Sequence, residues 1–129
     1  MRQLPSAAEA AMLIALCVKR KESEAGKEFA RLRVSEKAFE RLTRRRRIDG
    51  RFVSDLNEAL LDHNLLVVLT GDAIGVLKAS AVKGWPRMTS DRLNDELRLL
   101  RRGTLDFDDL ARELEDEGIE VDEDDEAEE

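Results

Sequence analysis

The sequence predicts a mostly α-helical fold with one small β-hairpin, an α+β core followed by two further helices and a disordered acidic tail. Three observations predict it. Apolar residues recur at helical spacing in five stretches, bracketed by capping and stop residues. The period changes once, at Leu65-Leu66-Val67-Val68-Leu69, a β-rich run separated by a turn from Ile74–Ala79. The end of the chain, Glu120–Glu129, has Val121 as its one sizeable apolar side chain. That is too little burial to offset the entropy of ordering.

Pro5-Ser6 opens the first helix, with Ser6 as N-cap and Glu9 three residues on completing a capping box. Ala7, Ala11, Ile14 and Val18 follow at helical spacing, flanked by Ala10, Leu13 and Cys17, and Gly26 stands where the helix should stop. The alternation Phe29-Ala30-Arg31-Leu32-Arg33-Val34 suits a short extended segment with one buried face. Ser35 then caps a second helix with Ala38, Phe39 and Leu42 inward and Lys37, Arg41, Arg44 and Arg45 on other faces.

Ile48-Asp49-Gly50 is a turn signal. A third helix is expected from Arg51 to His63, with Phe52, Val53, Leu56, Ala59 and Leu60 facing inward and Asn64 suited to a left-handed residue at its end. The hairpin follows, turning at Thr70–Ala73. After Gly84-Trp85-Pro86, Ser90 is expected to cap a fourth helix with Leu93, Leu97 and Leu100 on one face and Gly103 as its stop. Asp106 or Asp108 starts a fifth, carrying Phe107, Leu110, Ala111 and Leu114 and ending at Gly118. The plan is a core over residues 1–82, a linker and two amphipathic helices over 83–118, and the tail over 119–129.

Charge is divided unevenly over this plan. Residues 1–103 hold 21 Lys and Arg against 14 Asp and Glu, whereas 104–129 hold one Arg against 15 acidic residues. A pI near 4.9 therefore conceals a basic body behind an acidic tail. Between Arg31 and Arg51 stand nine basic residues, Arg44–Arg47 consecutive among them, against Glu36, Glu40 and Asp49. Such density attracts polyanions. The tail, tethered at an effective concentration of roughly millimolar, is expected to compete for the same surface.

Other classes are disfavoured. Cys17 is alone, so no intrachain disulfide is expected, and its place in the apolar run Ala10–Val18 suggests a buried thiol. That run is too short to span a bilayer and lacks the flanks of a secretory signal, so a cytoplasmic protein without membrane contact is expected. His63 is the single histidine, with no further cysteine near it, which argues against a metal site. Thr70-Gly71-Asp72-Ala73-Ile74-Gly75 lacks the Lys-Ser/Thr ending of a phosphate loop, and no nucleophile–base pair stands out. Neither a cofactor nor an enzymatic activity is expected. Trp85 is read as an anchor packed on the domain.

Helix, short extended segment, helix, turn, helix, hairpin is an order that resembles the winged helix-turn-helix superfamily. The resemblance spans roughly residues 7–82. It is carried by Val34-Ser35 entering the second helix, the Ile48-Asp49-Gly50 turn, the third helix and the Leu65–Ala79 hairpin. It implies a third helix that enters the DNA major groove and a hairpin that touches backbone or minor groove. Carried onto this chain, Arg51, Ser54 and Asn57 stand at outward positions for base reading, since guanidinium pairs with guanine and carboxamide with adenine. Arg41 and Arg44, Arg45, Arg46 and Arg47 would meet phosphates. Asp55, Glu58 and Asp62 share the third helix, and Asp72 the hairpin tip.

The expected function is nucleic-acid binding, to duplex DNA, by a regulator or an accessory factor in DNA metabolism, with homodimerisation through the C-terminal helices. The alternative, favoured by the acidic residues of the third helix and hairpin, is a non-enzymatic protein–protein adaptor.

Overall fold

The computed structural model describes residues 4–116; the acidic tail and the expected stop at Gly118 lie outside them. The chain divides into two units, Met1–Trp85 and Pro86–Glu129.

The first unit begins with helix α1, Ala7–Ala25. Its start is a complete capping box: Ser6 Oγ accepts from the Glu9 N–H at 3.1 Å, and Glu9 Oε1 accepts from the Ser6 N–H at 2.9 Å. Gly26 ends it in the left-handed region at φ 71°, where glycine meets no Cβ penalty. The buried face is narrow and consists of Ala10, Ala11, Ile14 and Val18. Leu13 and Cys17, expected beside it, are exposed. The core takes only one stripe of the helix, and both residues fall off its edge.

Strand β1 (Arg31–Val34), helix α2 (Glu36–Thr43), helix α3 (Gly50–Leu61), and strands β2 (Leu65–Leu69) and β3 (Ile74–Lys78) complete the core. The Ser35 hydroxyl caps α2 by accepting from the Ala38 N–H at 3.1 Å. Asp49 caps α3 in the same way, accepting from the Phe52 N–H at 2.8 Å. Asn64 adopts φ 59° after α3, and its side chain fastens the chain beyond the hairpin by pairing with the Ser80 hydroxyl and N–H, each at 2.9 Å.

The sheet has the order β1-β3-β2 and is antiparallel throughout, with Leu32 opposite Val76 and Val67 opposite Val76 on the other side. Of the extended segment expected over Phe29–Val34, Arg31–Val34 is an edge strand of this sheet. Alternation directs Leu65, Val67, Ile74 and Val76 into the core, with Leu32 and Val34 half-buried against it. Helix α1 packs against α3 and α2, while α3 packs on β2. The core between them joins Ile14 and Val18 to Phe39, Leu56 and Leu60.

One ion pair ties the far end of α1 to the sheet. Lys78 Nζ stands 3.0 Å from Glu22 Oε2, with both side chains largely shielded. The same carboxylate oxygen accepts the Phe29 N–H at 2.9 Å. The Phe29 N–H, with Lys78 beside it, holds the Glu22 carboxyl below the usual glutamate range.

After β3 come a 3₁₀ turn over Ala79–Gly84 and then Trp85, which remains 46% exposed instead of packing as an anchor. The second unit contains a short 3₁₀ turn at Asp91–Leu93, helix α4 (Asn94–Arg102) and helix α5 (Phe107–Glu115). Ser90 precedes the 3₁₀ turn and makes no side-chain cap, in contrast to the expected role, because the α-helix proper begins only after Leu93. Gly103 ends α4 at φ 76°, and Asp106 caps α5 by accepting from the Asp108 N–H at 2.9 Å. No side chain between 86 and 116 is buried. Among the described residues no helix is long and apolar enough to cross a membrane.

Because the folded Glu22 carboxyl titrates below its unfolded value, its contribution is complete above the usual glutamate range and is lost as pH falls through the folded value. Glu22→Gln should therefore lower stability at neutral pH and flatten the loss of stability on the acid side. Thermal unfolding of both proteins from neutral pH to pH 3 measures the difference.

Candidate nucleic-acid interface

The junction between α2 and α3 decides where the arginines go. Helix α2 closes with Thr43, whose buried hydroxyl donates to the Phe39 carbonyl at 2.9 Å and accepts from the Arg45 N–H at 3.3 Å. Arg44 follows in the left-handed region at φ 61°, with its N–H donating to the Glu40 carbonyl at 2.7 Å. This reversal separates neighbours in sequence onto different sides of the turn.

Arg45 is drawn inward. Its Nη1 donates to the Pro5 carbonyl and to the Thr43 carbonyl, each at 2.9 Å. Its guanidinium lies 4.0 Å from the centre of the Phe52 ring, in stacking contact. The residue thereby joins the segment before α1, the end of α2 and the first turn of α3. Arg45, expected to meet phosphate, gives its Nη1 to two backbone carbonyls and sets its guanidinium over an aromatic ring.

Arg41, Arg44, Arg46, Arg47 and Arg51 are exposed. Glu40, Arg41, Arg44 and Arg46 line one shallow cleft of about 250 Å3. Arg46 Nε stands 3.4 Å from Glu40 Oε1, but the arginine side chain is 91% exposed. Such a surface pair is worth little and can exchange for a stronger anion. Arg51 is on the first turn of α3, where orphan N–H groups and the helix dipole also favour negative charge.

Ser54 is exposed on α3, as expected, and so are Asp55 and Glu58. Asn57 is not at an outward position. Its Nδ2 donates to the Val67 carbonyl at 3.1 Å, and its Oδ1 accepts the Val67 N–H at 2.7 Å. The carboxamide pairs with both backbone groups of one residue of edge strand β2, as a further strand would. It holds α3 to the sheet and is withdrawn from base reading.

Comparison of the chain with protein-family models, curated proteins and solved structures finds no match in any of the three.

The hairpin reaches the same side of the unit. Gly71 and Ala73 of its turn share a cleft with Glu36, Glu40, Arg45 and Arg46. The Thr70 hydroxyl pins this turn, accepting the Ala73 N–H at 3.2 Å and donating to Asp72 at 3.1 Å. The tip, Thr70–Ala73, therefore carries a carboxylate and no basic side chain. Among the described residues no group of three or more His, Cys, Asp or Glu side chains is arranged to hold a metal ion.

Sequence spacing gives no sign of the Arg45 and Asn57 contacts, which join residues 40 and 10 positions apart. The cap at Asp49 was legible, an aspartate one residue before a helical run.

Arg45→Ala should cost about 1–3 kcal/mol of stability, because two carbonyls lose their donor and Phe52 its cover. Arg45→Lys should recover little of it, since an ammonium has no planar fork. Asn57→Ala should cost about 1–3 kcal/mol by orphaning the Val67 groups. Arg46→Ala should stay within about 0.5 kcal/mol of wild type. Urea unfolding of the four variants would test this division of roles.

Proposed function

We propose that this chain is a non-enzymatic, cytoplasmic winged helix-turn-helix protein that binds nucleic acid, duplex DNA in particular, through phosphate contacts. The element order α1-β1-α2-α3-β2-β3, with β1 paired to the hairpin, supports the fold reading. The observation that carries the function is the group of five exposed arginines, Arg41, Arg44, Arg46, Arg47 and Arg51, at one helix junction.

These arginines supply affinity without sequence information, because phosphates are the same along any duplex. Base reading falls to Arg51 and Ser54, with Asn57 engaged elsewhere. Asp55 and Glu58 on the same helix repel phosphates and limit how closely α3 follows a groove. The reading is therefore a DNA binder of weak sequence preference, as suits an accessory factor in DNA metabolism better than a regulator of one operator.

A protein–protein adaptor is the second reading. The observation favouring it is the second unit, where Leu97, Leu100 and Phe107 are 40%, 50% and 62% exposed on otherwise charged helices.

Fluorescence anisotropy of a labelled random-sequence duplex across a salt series separates the two. With about five phosphate contacts, log K should fall against log salt with a slope of about −4 to −5. The variant Arg41→Ala, Arg44→Gly, Arg46→Ala, Arg47→Ala should keep a slope of about −1. Glycine is chosen at Arg44 because the backbone there is left-handed. Absence of binding at low salt, in the full chain and after removal of residues 119–129, would retire the DNA reading in favour of the adaptor.

A further inference from the structure

The outward side of α1 carries a second pattern, bordered by Arg44 and His63 but made by the helix itself. Glu9, Met12, Leu16 and Lys19 succeed one another on the helix at spacings of three, four and three, the rhythm of a coiled-coil seam, with Pro5 just ahead of the helix a further four residues back. All five line one open groove of about 800 Å3. Its floor is apolar and uncovered: Met12 is 60% exposed, and Leu13 and Leu16 are 42% exposed. The Arg45 bond to the Pro5 carbonyl fixes the rim at the start of the helix.

The charges along this seam are antisymmetric. Glu9 stands at one end and Lys19 at the other, about 15 Å apart at the helical rise. The midpoint between Glu9 and Lys19 is position 14, which is also the midpoint between Met12 and Leu16. A two-fold axis through that point, perpendicular to the helix, sets Glu9 against Lys19 of a second copy and Met12 against its Leu16. A parallel pairing would oppose Glu9 to Glu9 and Lys19 to Lys19. A slip of one turn would leave the charges unmatched.

We propose that α1 forms the interface of an antiparallel, two-fold homodimer, with apolar contacts at its centre and Glu9–Lys19 ion pairs at both ends. Self-complementarity of one patch about a two-fold axis is what an isologous dimer requires. This assigns self-association to α1 and not to the C-terminal helices. The 19 residues of α1 offer a seam about twice as long as the nine of α4 or of α5.

The test is sedimentation velocity of the full chain without nucleic acid, from low-micromolar to several hundred micromolar. A monomer–dimer equilibrium is expected. Met12→Glu should raise the dimer Kd about 100-fold or more, since each seam then buries two unpaired carboxylates. Lys19→Glu should raise it about 10-fold at low salt, and adding Glu9→Lys should restore it. Circular dichroism confirms that each variant keeps its helices, because Glu9→Lys also removes a capping bond. Leu97→Glu with Phe107→Glu should leave the Kd within about 2-fold. A monomer at every concentration, a dimer indifferent to Met12→Glu, or folded charge variants without rescue would overturn the proposal.

Discussion

Two alanines set the geometry of the first unit. Ala10 and Ala11 are fully buried on α1, the helix that packs on α3 and its buried Leu56 and Leu60. Small side chains let the two backbones approach closely, and Ile14 and Val18 extend the same stripe along the helix. Because α3 also packs on β2, the position of α3 bears on the sheet as well. A larger residue at either alanine has no free space and would have to displace its neighbours in the core. The narrowness of the buried stripe has a second effect. It leaves Met12, Leu13 and Leu16 exposed at its edge, which is why α1 has a core face and an apolar seam facing solvent at once.

Polar groups complete what apolar packing cannot specify. Apolar contacts are non-directional, so they fix that helices touch but not where chain ends lie. Here the directional work is done by backbone groups that need partners. Arg45 satisfies carbonyls of Pro5 and Thr43, Asn57 both groups of Val67, Asn64 the hydroxyl and N–H of Ser80, and Glu22 the N–H of Phe29. Each binds a loop or a strand edge to a helix. At the partly buried bonds of Arg45, Asn57 and Glu22, unpaired groups would cost more than the bonds themselves contribute.

This division of labour shapes the charge distribution. One arginine of the Arg44–Arg47 run is taken into the structure, and the left-handed Arg44 turns its neighbours to the outside. The result is a cleft lined by Arg41, Arg44 and Arg46, with Arg47 exposed in the turn and Arg51 exposed on the first turn of α3, where the helix dipole has the same sign. Carboxylates at Asp55 and Glu58, one and two turns further along, oppose it. The proposed phosphate binding rests on the first feature, and its weak sequence preference on the second. Arg44 borders both the arginine cleft and the α1 groove, whereas Met12 and Leu16 line the groove and not that cleft, so Met12→Glu separates the dimer reading from the phosphate one.

Most of the element order was legible in the sequence, because caps, stops and periodicity act over a few residues. Ser6 with Glu9, Ser35, Gly26, Asn64 and Gly103 each mark a boundary through their own backbone or side-chain chemistry, and Leu65–Leu69 changes period where the chain becomes a strand. Phe29–Val34 was legible as extended, whereas its pairing with β3 was not, since strand partners are chosen over long separations. The arginine cluster was legible as charge. The inward turn of Arg45, the loss of Asn57 as a reader and the exposure of Cys17 were not. Each depends on what another segment, distant in sequence, brings to that place. The sequence by itself determined the order of the elements, most of their boundaries and how charge is spread along them. Only the tertiary structure decided which polar side chain satisfies a buried backbone group and which remains in solvent, because that choice belongs to the partner as much as to the residue.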